Sequence, residues 1–74
     1  MNILTQLGMR IRYIRKQKGM SQLSLALEAE VNKNYISDLE RGRRNPSILV
    51  LEKIAKALDV SLEILFQGIQ SFDS

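Results

Sequence analysis

Four times along this chain a serine or asparagine stands directly before a short run whose apolar residues recur three and four positions apart, and no segment carries a strand signal. Ser21, Asn32, Ser47 and Ser61 are the caps, with side-chain oxygens that can accept from the free N–H groups of a first helical turn. The stripes behind them are Leu25, Ala26 and Ala29, then Ile36 and Leu39, then Ile48, Leu51, Ile54, Ala55 and Leu58, and finally Leu62, Leu65 and Phe66. Ahead of all four, Leu4, Leu7, Ile11 and Ile14 mark one face of a longer helix that ends at Lys18-Gly19 with basic residues in its last turn. The third helix stops at Gly42, the fourth near Asp59, and the fifth at Gly68 after Gln67. Arg43-Arg44-Asn45-Pro46 is a loop, because the residue before proline is pushed out of the α region. Ile69 to Ser74 is expected to fray. The predicted fold is all-α, with five helices in one domain over residues 1–74, a length that leaves no room for a second.

What such a bundle does is narrowed by what it lacks. There is no cysteine and no histidine, hence no disulfide framework, no zinc ligands of the usual kind and no imidazole to activate a hydroxyl nucleophile. Asp38 and Glu40 are two apart, which on a helix points them to different faces, and no Gly-rich phosphate loop is present. Neither catalysis nor a cofactor nor a metal is expected, and the fold must be held by its core, extended by self-association. Apolar runs fall far short of the roughly 18 residues of a membrane span, and Met1-Asn2-Ile3-Leu4-Thr5-Gln6 has no secretion-signal pattern. A cytoplasmic binding protein is the expectation.

Eleven lysines and arginines against eight acids give a net charge of +3, unevenly placed. Residues 1–27 hold Arg10, Arg12, Arg15, Lys16 and Lys18 and no acid, and Arg41, Arg43 and Arg44 form a second knot. Clustering of this kind turns one face toward phosphate, although the same residues also serve solubility.

Ser21-Gln22-x-x-Leu25-Ala26, Val31, Ile36-Ser37-x-x-Glu40-x-Gly42, Asn45-Pro46-Ser47 and Ile54-Ala55-Lys56-Ala57-Leu58 together resemble the lambda-repressor-like helix-turn-helix family, the group of Cro and phage repressors. The resemblance covers residues 8 to 68 or so. The compact length and the run from Asn34 to Gly42 look like the controller proteins of restriction-modification systems. It implies a helix-turn-helix over about residues 21–42, with helices four and five, about 47–67, for dimerisation. The turn position often occupied by glycine in this family is Glu30, and a left-handed conformation there would cost roughly 1 kcal/mol relative to glycine.

The third helix suits a major groove on physical grounds as well. Its N-terminal turn presents Lys33, Asn34, Ser37 and Asp38 opposite Ile36 and Leu39. Lysine can donate to guanine O6 and N7 and asparagine can pair bidentately with adenine, so these two are the expected readers. Likeness to the controllers adds Tyr35, as a base-edge or thymine-methyl contact or else packed on the domain surface, and Arg44, reaching guanine from the loop. Ser21 and Gln22 stand where free N–H groups favour an anion, a role compatible with capping by Ser21, and Asn32 opens the reading helix. Arg41 and Arg43 are expected to grip the backbone. The resemblance also implies a structural pair between Arg15 and Glu40.

Leu49, Val50 and Ile64 occupy positions usually polar in the family, and Ile69 and Phe72 lie beyond the last helix; with them the resemblance implies a two-fold homodimer. The expected function is sequence-specific binding of double-stranded DNA at a palindromic operator, repressing or activating transcription as a restriction-modification controller, with RNA polymerase as a candidate contact. The alternatives are an antitoxin-type protein-interaction module and a phage-type repressor.

Overall fold

A computed structural model describes residues 1–70 of the chain. Among the described residues there are five helices and no strand: α1 Ile3–Gln17, α2 Gln22–Ala29, α3 Lys33–Glu40, α4 Ile48–Ala57 and α5 Leu62–Leu65. Each begins at a side-chain cap. Ser21 Oγ accepts from the Ser24 N–H at 2.9 Å while Ser24 Oγ accepts from the Ser21 N–H, a reciprocal capping box. Asn32, Ser47 and Ser61 cap α3, α4 and α5, and Asn2 caps α1 through the Thr5 N–H.

The predicted stripes converge on one core of Leu7, Ile11, Ile14, Leu25, Ala26, Ala29, Ile36, Leu39, Leu51, Ile54, Ala55, Leu58 and Leu65. Helix α1 packs on α3 and α5, α2 on α3 and α4, and α4 on α5, so the short helices close a ring around the apolar side chains.

Three expectations need correction. Ile48 is 61% exposed rather than in the core. It is the first residue of α4, and helical side chains lean toward the N-terminus, which carries it past the end of the packed surface. Helix α5 is a single turn ending at Leu65, with Leu62 and Phe66 half-buried; the chain continues to Gly68 in tighter turns, the Gln67 N–H donating to the Ile64 carbonyl at 3.2 Å. Fraying does not begin at Ile69. Ile69 packs half-buried against the core, and Gln70 exchanges backbone bonds with the Gln6 amide at 3.0 and 2.6 Å. Phe72 lies outside the described residues.

The turn between α2 and α3 adopts the left-handed conformation, with Glu30 at φ 60°, ψ 43°. It is not distorted, since the Val31 N–H closes on the Ala26 carbonyl at 2.9 Å. A close backbone approach lies elsewhere. A Cβ on Gly8 would run into the carbonyl of Leu39 and stand 2.6 Å from that of Glu40, so the absence of a side chain lets α1 lie against the end of α3. Just beyond, Gly42 at φ 76° passes over Thr5, whose Oγ1 would be 2.8 Å from an added Cβ.

Candidate nucleic-acid interface

Helix α3 is anchored along one side and open along the other. Ile36 and Leu39 are fully buried, whereas Lys33 and Asn34 project from its first turn into solvent and Ser37 and Asp38 lie half-buried beside them. The C-terminal end is held by charge. Arg15 Nε and Nη2 donate to the two carboxylate oxygens of Glu40 at 2.6 and 3.0 Å, and Nη1 donates to the Met20 carbonyl at 2.9 Å. Both residues are 7% exposed. The hydrogen bond to Glu40 pushes the Arg15 pKa further above its ordinary value, opposed by burial and aided by the Glu40 charge. Gln22 Nε2 donates to the same carboxylate at 3.0 Å, so the start of α2, the end of α1 and the end of α3 meet at one group. Fork geometry of this kind fixes angles as well as distances and sets α1 against α3, with Gln22 tying the start of α2 to the same carboxylate.

Two residues of the expected positive or anion-facing surface have partners within the fold. The Gln22 amide nitrogen donates one hydrogen bond to the Glu40 carboxylate, and an anion at the α2 N-terminus would also meet backbone N–H groups. The N–H groups of Gln22 and Leu23 have no acceptor among the described residues, and Ser21 beside them is exposed. Arg10, read from sequence as part of a positive face, donates instead to the Ile64 carbonyl at 3.0 Å and to Gln67 Oε1 at 3.2 Å, with the Tyr13 ring beneath its guanidinium. It satisfies the end of α5 and ties it to α1. Of the five cations in the acid-free segment, Arg10 and Arg15 are therefore occupied within the fold, while Arg12, Lys16 and Lys18 are exposed. Nothing in the local sequence distinguishes Arg10 from Arg12; only the packing of α1 on α5 does.

Past α3, Arg41 and Arg43 are exposed. Arg44 folds back on the helix, its guanidinium 5.2 Å from the centroid of the half-buried Tyr35 ring and its Nε 3.5 Å from Asp38 Oδ2. Asn32 is exposed, its side-chain oxygen taken by the Asn34 N–H at 2.7 Å, which leaves its amide nitrogen outward. Lys33 and Asn34 on α3 and Arg41 and Arg43 just past it are thus exposed, and apart from Asp38 no carboxylate of α3 is presented beside them. Such a surface can meet the phosphates and base edges of a duplex.

Of the residues expected to dimerise, Leu49 is 69% and Ile64 39% exposed, while Val50 and Ile69 are half-buried against the core. Ile48 adds to the exposed apolar area at the start of α4. No group of histidine, cysteine or acidic residues suited to a metal ion occurs among the described residues, and no helix there is long and apolar enough to cross a membrane.

Comparison with known proteins agrees with this geometry. Residues 11–65 match the helix-turn-helix family. The control protein C.BamHI of Bacillus amyloliquefaciens is 50% identical over 60 residues, spanning 80% of this chain and 74% of C.BamHI. The crystal structure of the restriction-modification controller protein C.AhdI from Aeromonas hydrophila superimposes with a TM-score of 0.84 at 40% identity, over 85% of this chain and 96% of that one. The C.Esp1396I controller tetramer in complex with its natural 35 base-pair operator gives a TM-score of 0.82, again at 40% identity, over 88% and 86% of the two chains. The fold, the clamped third helix and these matches together place the chain in the lambda-repressor-like, XRE-type helix-turn-helix family, to which it belongs.

Proposed function

We propose that this chain is a sequence-specific DNA-binding regulator of transcription that controls a restriction-modification operon, binding a palindromic operator as a homodimer. The observation that carries the reading is α3 itself. One side of it is locked into the core and clamped through Glu40, while its first turn offers Lys33 and Asn34, with Arg41 and Arg43 beyond its end. Likeness to controllers, one of them described on its operator, supports the same function. On this reading Lys33 and Asn34 read bases, with Ser37 beside them. Ser21, Arg41, Arg43 and the open N–H groups of α2 hold the phosphate backbone, and Asn32 offers its amide to either. Residues 1–74 act as one domain in which about 21–42 read DNA and about 47–67 pair the protomers through Leu49, Val50, Ile64 and Ile69. Activation, as opposed to repression, would add a contact with RNA polymerase, and the protein would work in the cytoplasm beside the DNA it controls.

Selection of bound fragments from random duplex DNA tests this, followed by footprinting of the gene's own upstream region. An enriched palindrome that recurs upstream of the gene is the expected result. Enrichment of no sequence, or a tight complex with a co-encoded protein that needs no DNA, would refute it.

A further inference from the structure

Asp38 is the one carboxylate on the outward side of α3, an awkward neighbour for a phosphate backbone, and its surroundings explain it. Tyr35 and Asp38 are three residues apart and share one helical face, and Arg44 lies across both. The ring lies 5.2 Å from the guanidinium carbon, and the carboxylate faces Nε from 3.5 Å, a charge contact longer than a hydrogen bond of about 2.9 Å. Arg44 donates no hydrogen bond among the described residues, so its Nη1 and Nη2, the two-pronged end of the guanidinium, stay free. Its side chain is still half exposed. An arginine attracted to a carboxylate on its Nε side and supported on an aromatic face has fewer orientations open to that fork, and Nη1 and Nη2 together match the guanine O6 and N7 pair.

Building on the DNA-binding reading above, we infer that Asp38 is a positioning residue, not a base contact: with Tyr35 it preorganises Arg44 as a guanine-reading fork, and it confers specificity through Arg44. A long side chain that must be ordered on binding loses rotamer freedom, so holding it beforehand favours the site where both prongs find acceptors. The carboxylate also offsets one cation near the groove, which weakens attraction to any phosphate regardless of sequence. Both effects act in the same direction, toward discrimination.

The test uses the duplex obtained by selection, with each G·C pair of a half-site replaced in turn by A·T, and the wild-type chain with Asp38→Asn, Asp38→Glu, Arg44→Gln and the Asp38→Asn/Arg44→Gln double variant. The wild type should lose about ten-fold in affinity at one guanine position, a loss absent in Arg44→Gln. Asp38→Asn should cut that preference by about three-fold or more while binding to a scrambled duplex holds or tightens, and Asp38→Glu should restore part of it. In the Arg44→Gln background Asp38→Asn should make no further difference to the preference. Full discrimination by Asp38→Asn, or an undiminished effect without Arg44, would overturn the inference and make Asp38 a direct contact. A second readout needs no DNA. The Arg44 Nε–H resonance of the free protein should move and sharpen toward a mobile side chain in Asp38→Asn; an unchanged resonance would also overturn the inference. Failure of the wild type to prefer any duplex would instead count against the DNA-binding function while leaving this resonance to judge the Arg44 buttress.

Discussion

Arg15 and Glu40, 25 positions apart, meet in a buried two-pronged ion pair whose carboxylate also accepts from Gln22. A charge left behind here has no water to turn to. Arg15→Ala and Glu40→Ala should each cost about 3 kcal/mol or more in denaturant unfolding, well above an exposed pair, whereas Arg15→Met with Glu40→Leu should recover much of that loss. A cation whose folded pKa is raised contributes stability that is complete below its unfolded pKa and is lost only as pH climbs through the folded value. For Arg15 that window lies far into alkali, so its contribution should be flat from about pH 5 to 9. A stability loss in Arg15→Ala that itself varied steeply over that range would contradict this assignment.

Gly8→Ala should be disproportionately harmful for a helical substitution that ordinarily favours helix. The new methyl meets the backbone of Leu39 and Glu40, which cannot rotate away. A loss of about 1 to 3 kcal/mol is expected, together with weaker operator binding as α3 shifts on its support. Thermal unfolding beside a binding titration would show it; a stabilised variant would mean that α1 and α3 separate easily.

Glu30→Gly should do the opposite. Glu30 is exposed and left-handed, so glycine should relieve strain worth about 1 kcal/mol with operator affinity unchanged. An unaltered midpoint of unfolding would show that the left-handed turn carries no strain.

These contrasts mark what was legible in the chain. Caps and three-four spacing located the helices because both are local: Ser21, Asn32, Ser47 and Ser61 bond within three residues of themselves. The Arg15–Glu40 pair was reached through a family pattern and not through spacing, since nothing local joins two helices 25 positions apart. The partners of Arg10 are hidden for the same reason, because its acceptors on Ile64 and Gln67 are more than 50 positions away. Gly8 does carry a local signal, since glycine inside an apolar helical face weakens the helix and calls for a packing reason, here the backbone of α3. Ile48 obeyed its periodicity and still missed the core, because period reports direction around a helix and not position along it.

Reading and gripping should separate under substitution. Lys33→Ala and Asn34→Ala should alter which operator variants are preferred, by about 1 to 3 kcal/mol per lost bidentate contact. Arg43→Ala, exposed past the end of α3, should weaken all duplexes alike and reduce the salt slope by about one. Competition titrations at several salt concentrations decide. If Arg43→Ala changed sequence preference while Lys33→Ala and Asn34→Ala did not, Arg43 would be a reader and the assignment of the two roles would be reversed.

The exposed Leu49 and Ile64 set the last expectation, because association of two copies would remove them from water. Sedimentation at micromolar concentration should show a dimer, which Ile64→Asp or Leu49→Asp shifts toward monomer with little effect on folding, since neither side chain is buried. Two reading helices related by a two-fold axis then require inverted half-sites about 10 base pairs apart, near 34 Å between centres. With Asn34 favouring adenine and Lys33 or Arg44 favouring guanine, each half-site should contain at least one of both, and the untouched centre should discriminate through deformability. Inserting about five base pairs between the halves turns one to the far side of the duplex, so affinity should fall toward the non-specific level although both half-site sequences remain. Undiminished affinity for that duplex at fixed salt would mean that each protomer reads its half alone, and the rigid two-fold arrangement would have to be given up.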